Sequence, residues 1–227
     1  MKGKLSISHI FSFLLIVSLL LSLGHASADS QSTSFLPHSK FCNDANFPQV
    51  NWSGCDHSGV NLNHADLSRA NLEGVNLSHA NLANADLSWA NLKGANLDYA
   101  DLEGAEFIGA DLTGASLVGA HGAYVNLNWA TVDNADFTNA NLPISQFRWG
   151  TGMGAVFKDA NLNSVLFYTN DLSNADFQGA DLTYAAFNIN ANLTNANFNG
   201  ANLQSADLGT TDLTGAKLHC TNNEICN

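Results

Sequence analysis

Basic residues are scarce in this chain, which holds 8 Lys and Arg against 20 Asp and Glu among its 227 residues. The resulting net charge of -12 at pH 7 repels nucleic acid, whose binding usually needs a basic face. The sequence also lacks a G-x-S-x-G nucleophile motif and anything that resembles a phosphate loop or a paired-carboxylate cleft. Calcium-loop and zinc-ligand spacings are missing as well. We therefore expect no enzyme activity, no metal, no cofactor and no direct contact with nucleic acid.

An apolar run long enough for a permanent membrane span is also missing. Lys2 and Lys4 precede an apolar stretch from about Ile10 to Leu23, and crossing a bilayer takes about 20 residues. Small residues then follow up to Ala28, which is the order typical of a secretory signal peptide. We expect residues 1–28 to be removed on export to a periplasm, a thylakoid lumen or the cell exterior. Without them, six Lys and Arg face 20 Asp and Glu, a net charge of -14.

The chain does contain a repeat of five residues, of the form Ala-Asp/Asn-Leu/Phe-x-x. Ala65-Asp66-Leu67-Ser68-Arg69 is one example, and the pattern continues from about residue 45 to residue 218. A period of five fits neither the 3.6 residues of a helical turn nor the 2 of an ordinary strand. The sequence therefore predicts a solenoid.

The central Leu or Phe of each pentad shows how many pentads close one coil. Arranged at a period of 20, the centres form four columns, and all nine central Phe fall in two opposite columns. One extra residue near 188–190 shifts the later centres by one position. Four pentads per coil give almost nine coils from 35 pentads.

The residue two positions after each centre predicts the corner turns. In one column it is always Gly or Asn, from Gly54 to Gly215, and these residues tolerate the positive φ of a type II turn. Another corner instead carries Arg69, Trp89 and similar bulky residues, which avoid positive φ. We expect that corner to use another turn type, with a small bulge where the extra residue is inserted.

The four Cys lie in pairs at the two ends of the solenoid. Coils that rise about 4.8 Å each separate those ends by about 35–40 Å, whereas bridged Cα atoms must lie within about 7 Å. Only the pairings Cys42 with Cys55 and Cys220 with Cys226 remain, and export to an oxidising compartment favours disulfides over a metal site.

The repeated A(D/N)Lxx pattern resembles the pentapeptide-repeat family over most of the chain. The resemblance implies an all-β fold, a right-handed quadrilateral parallel β-helix of about nine coils, with the centre and the residue two before it facing inward. The expected organisation is a signal peptide at 1–28, an N-terminal segment and cap at 29–44, the β-helix at 45–218 and a C-terminal cap segment at 219–227. Departures from the pattern at Gly122 and Gly152 predict cavities or backbone shifts. The degenerate pentads around Cys42, Trp52 and His57 predict the N-terminal cap.

An interior filled with Ala, Leu and Phe leaves the outer surface for function. The Asn and Asp before each centre are interpreted as part of the repeat, and the acidic column of Asp66, Asp86 and Glu106 as solvated surface. Exposed Trp and Arg are enriched at binding surfaces. The candidate binding residues therefore lie on one corner and the column beside it, and they are Trp89, Trp129, Trp149, Arg148 and Tyr168.

These features favour an exported, non-catalytic scaffold or protein-binding module that is a monomer or a weak oligomer. The partner is expected to be a protein. The alternative is a DNA-mimicking inhibitor of gyrase, as some members of the family it resembles are. The acidic rod favours that alternative, whereas the signal peptide, the scattered acids and the Cys pair at the C-terminus argue against it.

Overall fold

A computed structural model of the chain describes residues 42–43, 45–168, 170–187 and 190–226. All of them belong to one compact unit, Pro37–Asn227. The predicted signal peptide and almost all of the segment up to residue 44 lie outside the described residues. Within the described part of the chain no helix is formed, and hence none with the length and apolarity needed to cross a membrane.

The described backbone winds into four-sided coils held together by single-residue parallel β-bridges. These bridges replace continuous strands among the described residues: each wall of a coil contributes one bridge residue, and a two-residue turn follows it. The first bridge joins Asn51 to Asn71 and the last joins Asn202 to Thr221. The spacing is 20 residues up to the bridge between Leu166 and Ala186, and it is 21 for the four bridges that span the extra residue, from Asp171–Asn192 to Ala186–Asp207. It then returns to 20 and is 19 at the last bridge. The predicted quadrilateral parallel β-helix is confirmed.

The core consists of the centre of each pentad and the residue two positions before it. Leu67 is fully buried and Ala65 is 6% exposed, and most later coils repeat this arrangement. The Phe side chains of two opposite walls meet along the axis of the coil. Rings within a column stack at 4.8–5.1 Å, and rings of facing columns meet edge to face at 5.8–6.4 Å. Both geometries are favourable for aromatic pairs, so the core is a continuous aromatic column in this part of the solenoid.

The Asp or Asn before each centre forms the ladder on the outside. Its Oδ1 commonly accepts the backbone N–H two residues on, as Asp176 does from Gln178 at 3.0 Å. Where an Asn follows an Asp in the next coil, the amide also donates to the carboxylate, as Asn197 does to Asp176 at 2.8 Å. The ladder therefore satisfies turn N–H groups within a coil and joins neighbouring coils.

The corners correct one prediction. The Gly and Asn corner has positive φ as expected, and Cys55 N–H donates to Trp52 O at 3.0 Å across the turn at Gly54. However, Arg69 and the three Trp also have φ of 57–64°, so the prediction of another turn type for their corner was wrong. The corner N–H of each coil donates to the next coil, as Trp89 does to Ile108 O at 2.8 Å. Keeping this bond fixes the same backbone at all four corners, although a side chain at positive φ costs roughly 1–2 kcal/mol.

The bulge predicted near 188–190 falls mostly on residues outside the described part. Asn190, which is described, takes a φ of 50°, so positive φ occurs one position later than in the preceding coils.

Gly122 and Gly152 differ in their surroundings. A Cβ on Gly122 would lie 2.5 Å from the carbonyl carbon of Leu102, so this position is a close approach of two backbones. A Cβ on Gly152 would meet Leu172 Cδ2 at 2.9 Å and Val132 Cγ2 at 3.0 Å. Neighbouring side chains fill the space at Gly152, so no methyl-sized cavity lies there.

Both ends of the solenoid carry a disulfide with the predicted pairing. The Cα atoms of Cys42 and Cys55 are 5.5 Å apart, and those of Cys220 and Cys226 are 4.9 Å apart. At the N-terminal end, the Trp52 and His57 rings lie 4.1 Å apart, whereas the centre Phe47 is 48% exposed. The first coil thus covers the core with Trp52 rather than with Phe47.

Candidate binding site at the Trp corner

The Trp corner consists of Arg69, Trp89, Gly109, Trp129 and Trp149, one from each of five successive coils. The side chains of the three Trp are 60%, 57% and 43% exposed, in chain order. Trp129 and Trp149 stack with ring centroids 5.2 Å apart, which matches the spacing of the coils. The Trp89 ring instead lies over Gly109 of the next coil, and a Cβ on Gly109 would come within 2.5 Å of Trp89 Cε3. The corner therefore presents three aromatic rings from a fixed backbone.

Arg148 is held beside this stack by two polar side chains. Its Cζ lies 5.1 Å from the Trp149 ring, within the range of a cation–π contact. The guanidinium donates to Asn128 Oδ1 at 3.3 Å and also to Gln146 Oε1. Asn128 in turn donates to Gln146 Oε1 at 3.0 Å, although only 9% of Asn128 is exposed. The charge of Arg148 is thus fixed in place with no carboxylate partner among the residues that the structure describes.

The turn at Trp149 is closed by a buried amide. At Trp129 the turn bond runs from Ala130 N–H to Leu127 O at 3.2 Å, as in most corners. At Trp149, Asn170 from the next coil replaces that bond: its Oδ1 accepts from Gly150 N–H at 3.1 Å and its Nδ2 donates to Phe147 O. Asn170 is 5% exposed and stands at a position that the repeat usually gives to Ala.

The structure brings four of the five predicted residues into one neighbourhood and leaves Tyr168 at its edge. Trp149 stacks on Trp129 and lies against the Arg148 guanidinium, and Trp89 stands on the same corner. Tyr168 accepts the Trp149 N–H at its backbone oxygen, at 3.0 Å. Among the described residues its ring joins none of the stacked pairs.

The sequence analysis missed two features of this neighbourhood. Asn128 and Asn170 are buried polar residues, and the Asn at an Ala position of the repeat was the signal that could have identified Asn170. The second feature is the corner on the other side of the same wall, called here the Tyr corner. It includes Tyr124, Ile144 and Tyr184, which are 61%, 46% and 59% exposed.

The chemistry available at the Trp corner is that of contact. Exposed indole rings offer apolar area and π faces, and the amides of Asn128 and Gln146 offer hydrogen bonds. No group of three His, Cys, Asp or Glu that could hold a metal ion occurs within the described residues. His64 and His79, two His residues near the N-terminal end of the solenoid, stand on different corners, and the His79 ring stacks on Tyr99 at 5.2 Å.

Comparisons with known proteins agree with this architecture. The family profile described as pentapeptide repeats matches in 8 copies, over residues 42–78, 70–107, 85–121, 100–139, 153–188 and 189–222. No curated protein sequence matches the chain.

Several solved structures are similar to the chain. HetL, a pentapeptide repeat protein involved in heterocyst differentiation regulation from the cyanobacterium Nostoc sp. strain PCC 7120, is 25% identical over 78% of this chain and 90% of its own, with a TM-score of 0.39. A pentapeptide repeat protein from the Arabidopsis thaliana thylakoid lumen is 27% identical over 58% and 67%, with a TM-score of 0.18. A trypsin-treated form of QnrB1, a plasmid-mediated fluoroquinolone resistance protein, is 18% identical over 78% and 93%, with a TM-score of 0.43.

Proposed function

Because this chain belongs to the pentapeptide-repeat family and has the right-handed quadrilateral β-helix of that family, we propose that it is a non-catalytic binding module. The proposal places its contact with a protein partner at the Trp corner. The observation that supports it is the row of exposed Trp side chains on one corner. Trp and Arg are over-represented among the residues that contribute most to binding, and a rigid backbone lowers the entropy lost on association.

The proposed compartment is an exported one. Two disulfides at the ends of the solenoid fit an oxidising environment such as a periplasm, a lumen or the cell exterior. The absence of catalysis is proposed from the packed interior, since the core residues of the described coils leave no cleft for a substrate along the axis.

A triple substitution tests the Trp corner. The variant Trp89→Ala, Trp129→Ala, Trp149→Ala is expected to lose partners captured from the native exported fraction, because the aromatic contact area is removed. The matched control is Tyr99→Ala with Met153→Ala, which removes exposed apolar side chains from other parts of the surface. Circular dichroism should show the same fold for both variants. If the triple variant captures the same partners as the wild type, the Trp corner is not the binding site.

The alternative of gyrase inhibition by DNA mimicry is supported by one observation, a column of acids on a single wall. Asp66, Asp86 and Glu106 occupy consecutive coils. A supercoiling assay with purified gyrase tests this alternative, together with the localisation of the tagged protein. Inhibition at stoichiometric concentrations and a location in the cytoplasm would favour it over the exported module.

A further inference from the structure

The wall between the Tyr corner and the Trp corner, called here wall 1, has an outer surface unlike the others. Its bridge residues carry acids on three consecutive coils, Asp66, Asp86 and Glu106. On the other three walls no two consecutive bridge positions within the described residues are both acidic. Like charges directly opposite each other across paired backbones are destabilising. Wall 1 therefore departs from the rule that the rest of the ladder follows.

Acids on the other walls are often compensated by a neighbour. Asn76, Asn192 and Asn202 donate to the acids one coil before them, at 2.9, 3.0 and 3.3 Å, and Lys93 pairs with Asp111 at 3.1 Å. On wall 1, Asp66 and Asp86 use Oδ1 for their own turns, through Ser68 and Ser88. Among the described residues, no side-chain amide donates a hydrogen bond to the three carboxylates of wall 1, and no cationic side chain forms an ion pair with them. An opposite charge from outside would relieve their repulsion.

Two later coils of wall 1 depart from the ladder in a different way, before Asp207 follows on the same wall. Leu166 and Ala186 occupy its bridge positions on consecutive coils, where the other walls have polar residues at nearly every described coil. Both side chains are half-buried, and Tyr168 lies beside Leu166. A Leu at this position forms none of the ladder's hydrogen bonds and keeps apolar surface in water. Leu166 and Ala186 therefore form an apolar patch at two positions where the repeat would accept Asn.

The two aromatic corners border wall 1 along its middle coils. Trp89, Trp129 and Trp149 stand on one side and Tyr124, Ile144 and Tyr184 on the other. The exposed Trp faces attract cationic side chains as well as apolar ones. Arg148 lies two coils beyond Glu106, the last of the three acids, and Gln146 and Asn128 fix its positive charge there. A partner that follows wall 1 would meet negative charge first and apolar surface after Arg148.

From this arrangement we infer that wall 1 docks a cationic amphipathic segment of a partner protein, with its Lys or Arg residues over Asp66, Asp86 and Glu106 and its apolar residues over Leu166 and Ala186. Six coils separate Asp66 from Ala186, or about 29 Å at a rise of ~4.8 Å per coil. An extended segment of about nine residues covers that length. The inference rests on the proposed binding function and extends the contact from the Trp corner to the whole wall.

Defined peptides serve as probes of this surface. The first is a fluorescent 12-residue peptide with a Lys/Arg half and a Leu/Tyr half; the second has Lys and Arg throughout; the third replaces every cation of the first with Glu. The purified protein with both disulfides formed is titrated into each, and fluorescence anisotropy gives the affinity. We expect the amphipathic peptide to bind most tightly, the all-cationic peptide more weakly and the acidic peptide least, with affinity falling as salt rises.

Substitutions separate wall 1 from general acidity. A triple variant that removes the acids of wall 1 (Asp66→Asn, Asp86→Asn, Glu106→Gln) should lower the affinity for the amphipathic peptide by about tenfold or more, because the charges that face the peptide are removed. The matched control, Asp136→Asn, Asp176→Asn, Asp181→Asn, removes three charges from other walls and should change affinity by less than about threefold, since separated surface charges are screened. The double variant Leu166→Asn, Ala186→Asn places the usual ladder residue at both positions. It should bind the amphipathic peptide only as tightly as the all-cationic peptide.

Two results would overturn the inference. One is equal weakening by the wall 1 and control triple variants, which would indicate non-specific attraction to an acidic protein. The other is no measurable binding of either cationic peptide. Partner capture separates this inference from the Trp corner. Loss in both the triple Trp variant and the wall 1 variants supports both contacts. Loss only in the triple Trp variant supports the Trp corner and rejects wall 1, whereas loss only in the wall 1 variants supports wall 1 and rejects the Trp corner.

Discussion

Wall 1 and the wall opposite it, called wall 3, have the same interior and different exteriors. Inside, both contribute Phe centres that are almost fully buried and that stack in two parallel columns. Outside, each acid at a bridge position of wall 3 is separated from the next acid by at least one uncharged residue, as Asp136 and Asp176 are by Val156. Wall 1 instead has three consecutive acids, then two amides and then the apolar residues Leu166 and Ala186, before Asp207. The fold therefore constrains the two interiors alike and leaves each exterior free to differ.

The interiors should respond equally to the largest change. Phe167→Ala on wall 1 and Phe177→Ala on wall 3 should each lower the free energy of unfolding by about 3–5 kcal/mol, because each removes a fully buried ring and leaves a cavity. Urea denaturation followed by circular dichroism measures both. A difference of more than about 1 kcal/mol between them would show that the two interiors are not equivalent, since cavity costs scale with how far each site collapses.

Wall 1 and wall 3 also differ in how one turn is closed, because Asn170 closes the turn at Trp149. Asn170→Ala should lower stability by about 2 kcal/mol or more, because Gly150 N–H and Phe147 O both lose their partner. On wall 3 the equivalent residue is Ala180, and the turn one coil before it is already closed, because Ala160 N–H donates to Phe157 O at 3.2 Å. Ala180→Asn should therefore also destabilise, since it buries an amide without a partner. A neutral Asn170→Ala would contradict the arrangement.

A change in pH should affect wall 3 through its first centre, His57. Burial of the ring lowers the pKa of His57 below its ordinary value, and the Asp56 carboxylate opposes this only in part. Its Nε2 is buried without a hydrogen-bond partner in the described structure. Because the unfolded chain binds the proton first, the contribution of neutral His57 to stability is fully present above the unfolded pKa of about 6.5. It is lost progressively as pH falls from that value through the lower pKa of the folded state.

The variant His57→Leu places the usual centre residue at this position and removes the titration. Between pH 7 and pH 5, the melting temperature of the wild type should fall further than that of His57→Leu. Equal falls would show that His57 is not responsible.

The smallest expected effect concerns the acids themselves, and its sign should differ between the walls. Asp86→Asn on wall 1 should stabilise by a few tenths, up to about 1 kcal/mol, because it interrupts three like charges. Asp176→Asn on wall 3 should be neutral or slightly destabilising, because Asn197 loses a charged acceptor. Parallel melts at low and high salt measure both, and the difference should shrink at high salt. The same sign for both variants would argue against a special wall 1.

Much of the fold was predictable from the repeat. The period of five, the four columns and the two Phe walls followed from the identity of the centres, because only one coil geometry buries every centre at once. The Cys pairing also followed, since the length of the solenoid separates its ends. The Trp corner was predictable as a row of exposed rings. Asn128 was not, because its neighbours in contact lie 18 and 20 residues away in the sequence.

The corner conformation shows where local reasoning failed. Trp and Arg avoid positive φ in isolation, and that preference predicted a different turn. In the coil, each corner N–H must meet a carbonyl of the next coil, so the backbone is the same at Trp89 as at Gly94. Hydrogen bonds between coils thus outweighed a residue preference of roughly 1–2 kcal/mol.

By itself the sequence determined which residues face inward, how many pentads close a coil and which Cys can pair, because burial and chain length depend on residue identity and spacing alone. Only the tertiary structure decided the backbone of the corners, the stacking of Trp129 on Trp149 and the closing of a turn by Asn170. These features depend on atoms from neighbouring coils, about 20 residues apart in the chain and about 4.8 Å apart in space. The exterior of wall 1 depends on both. The sequence shows which residues occupy its bridge positions, but only the folded coil shows which of those residues have hydrogen-bond partners.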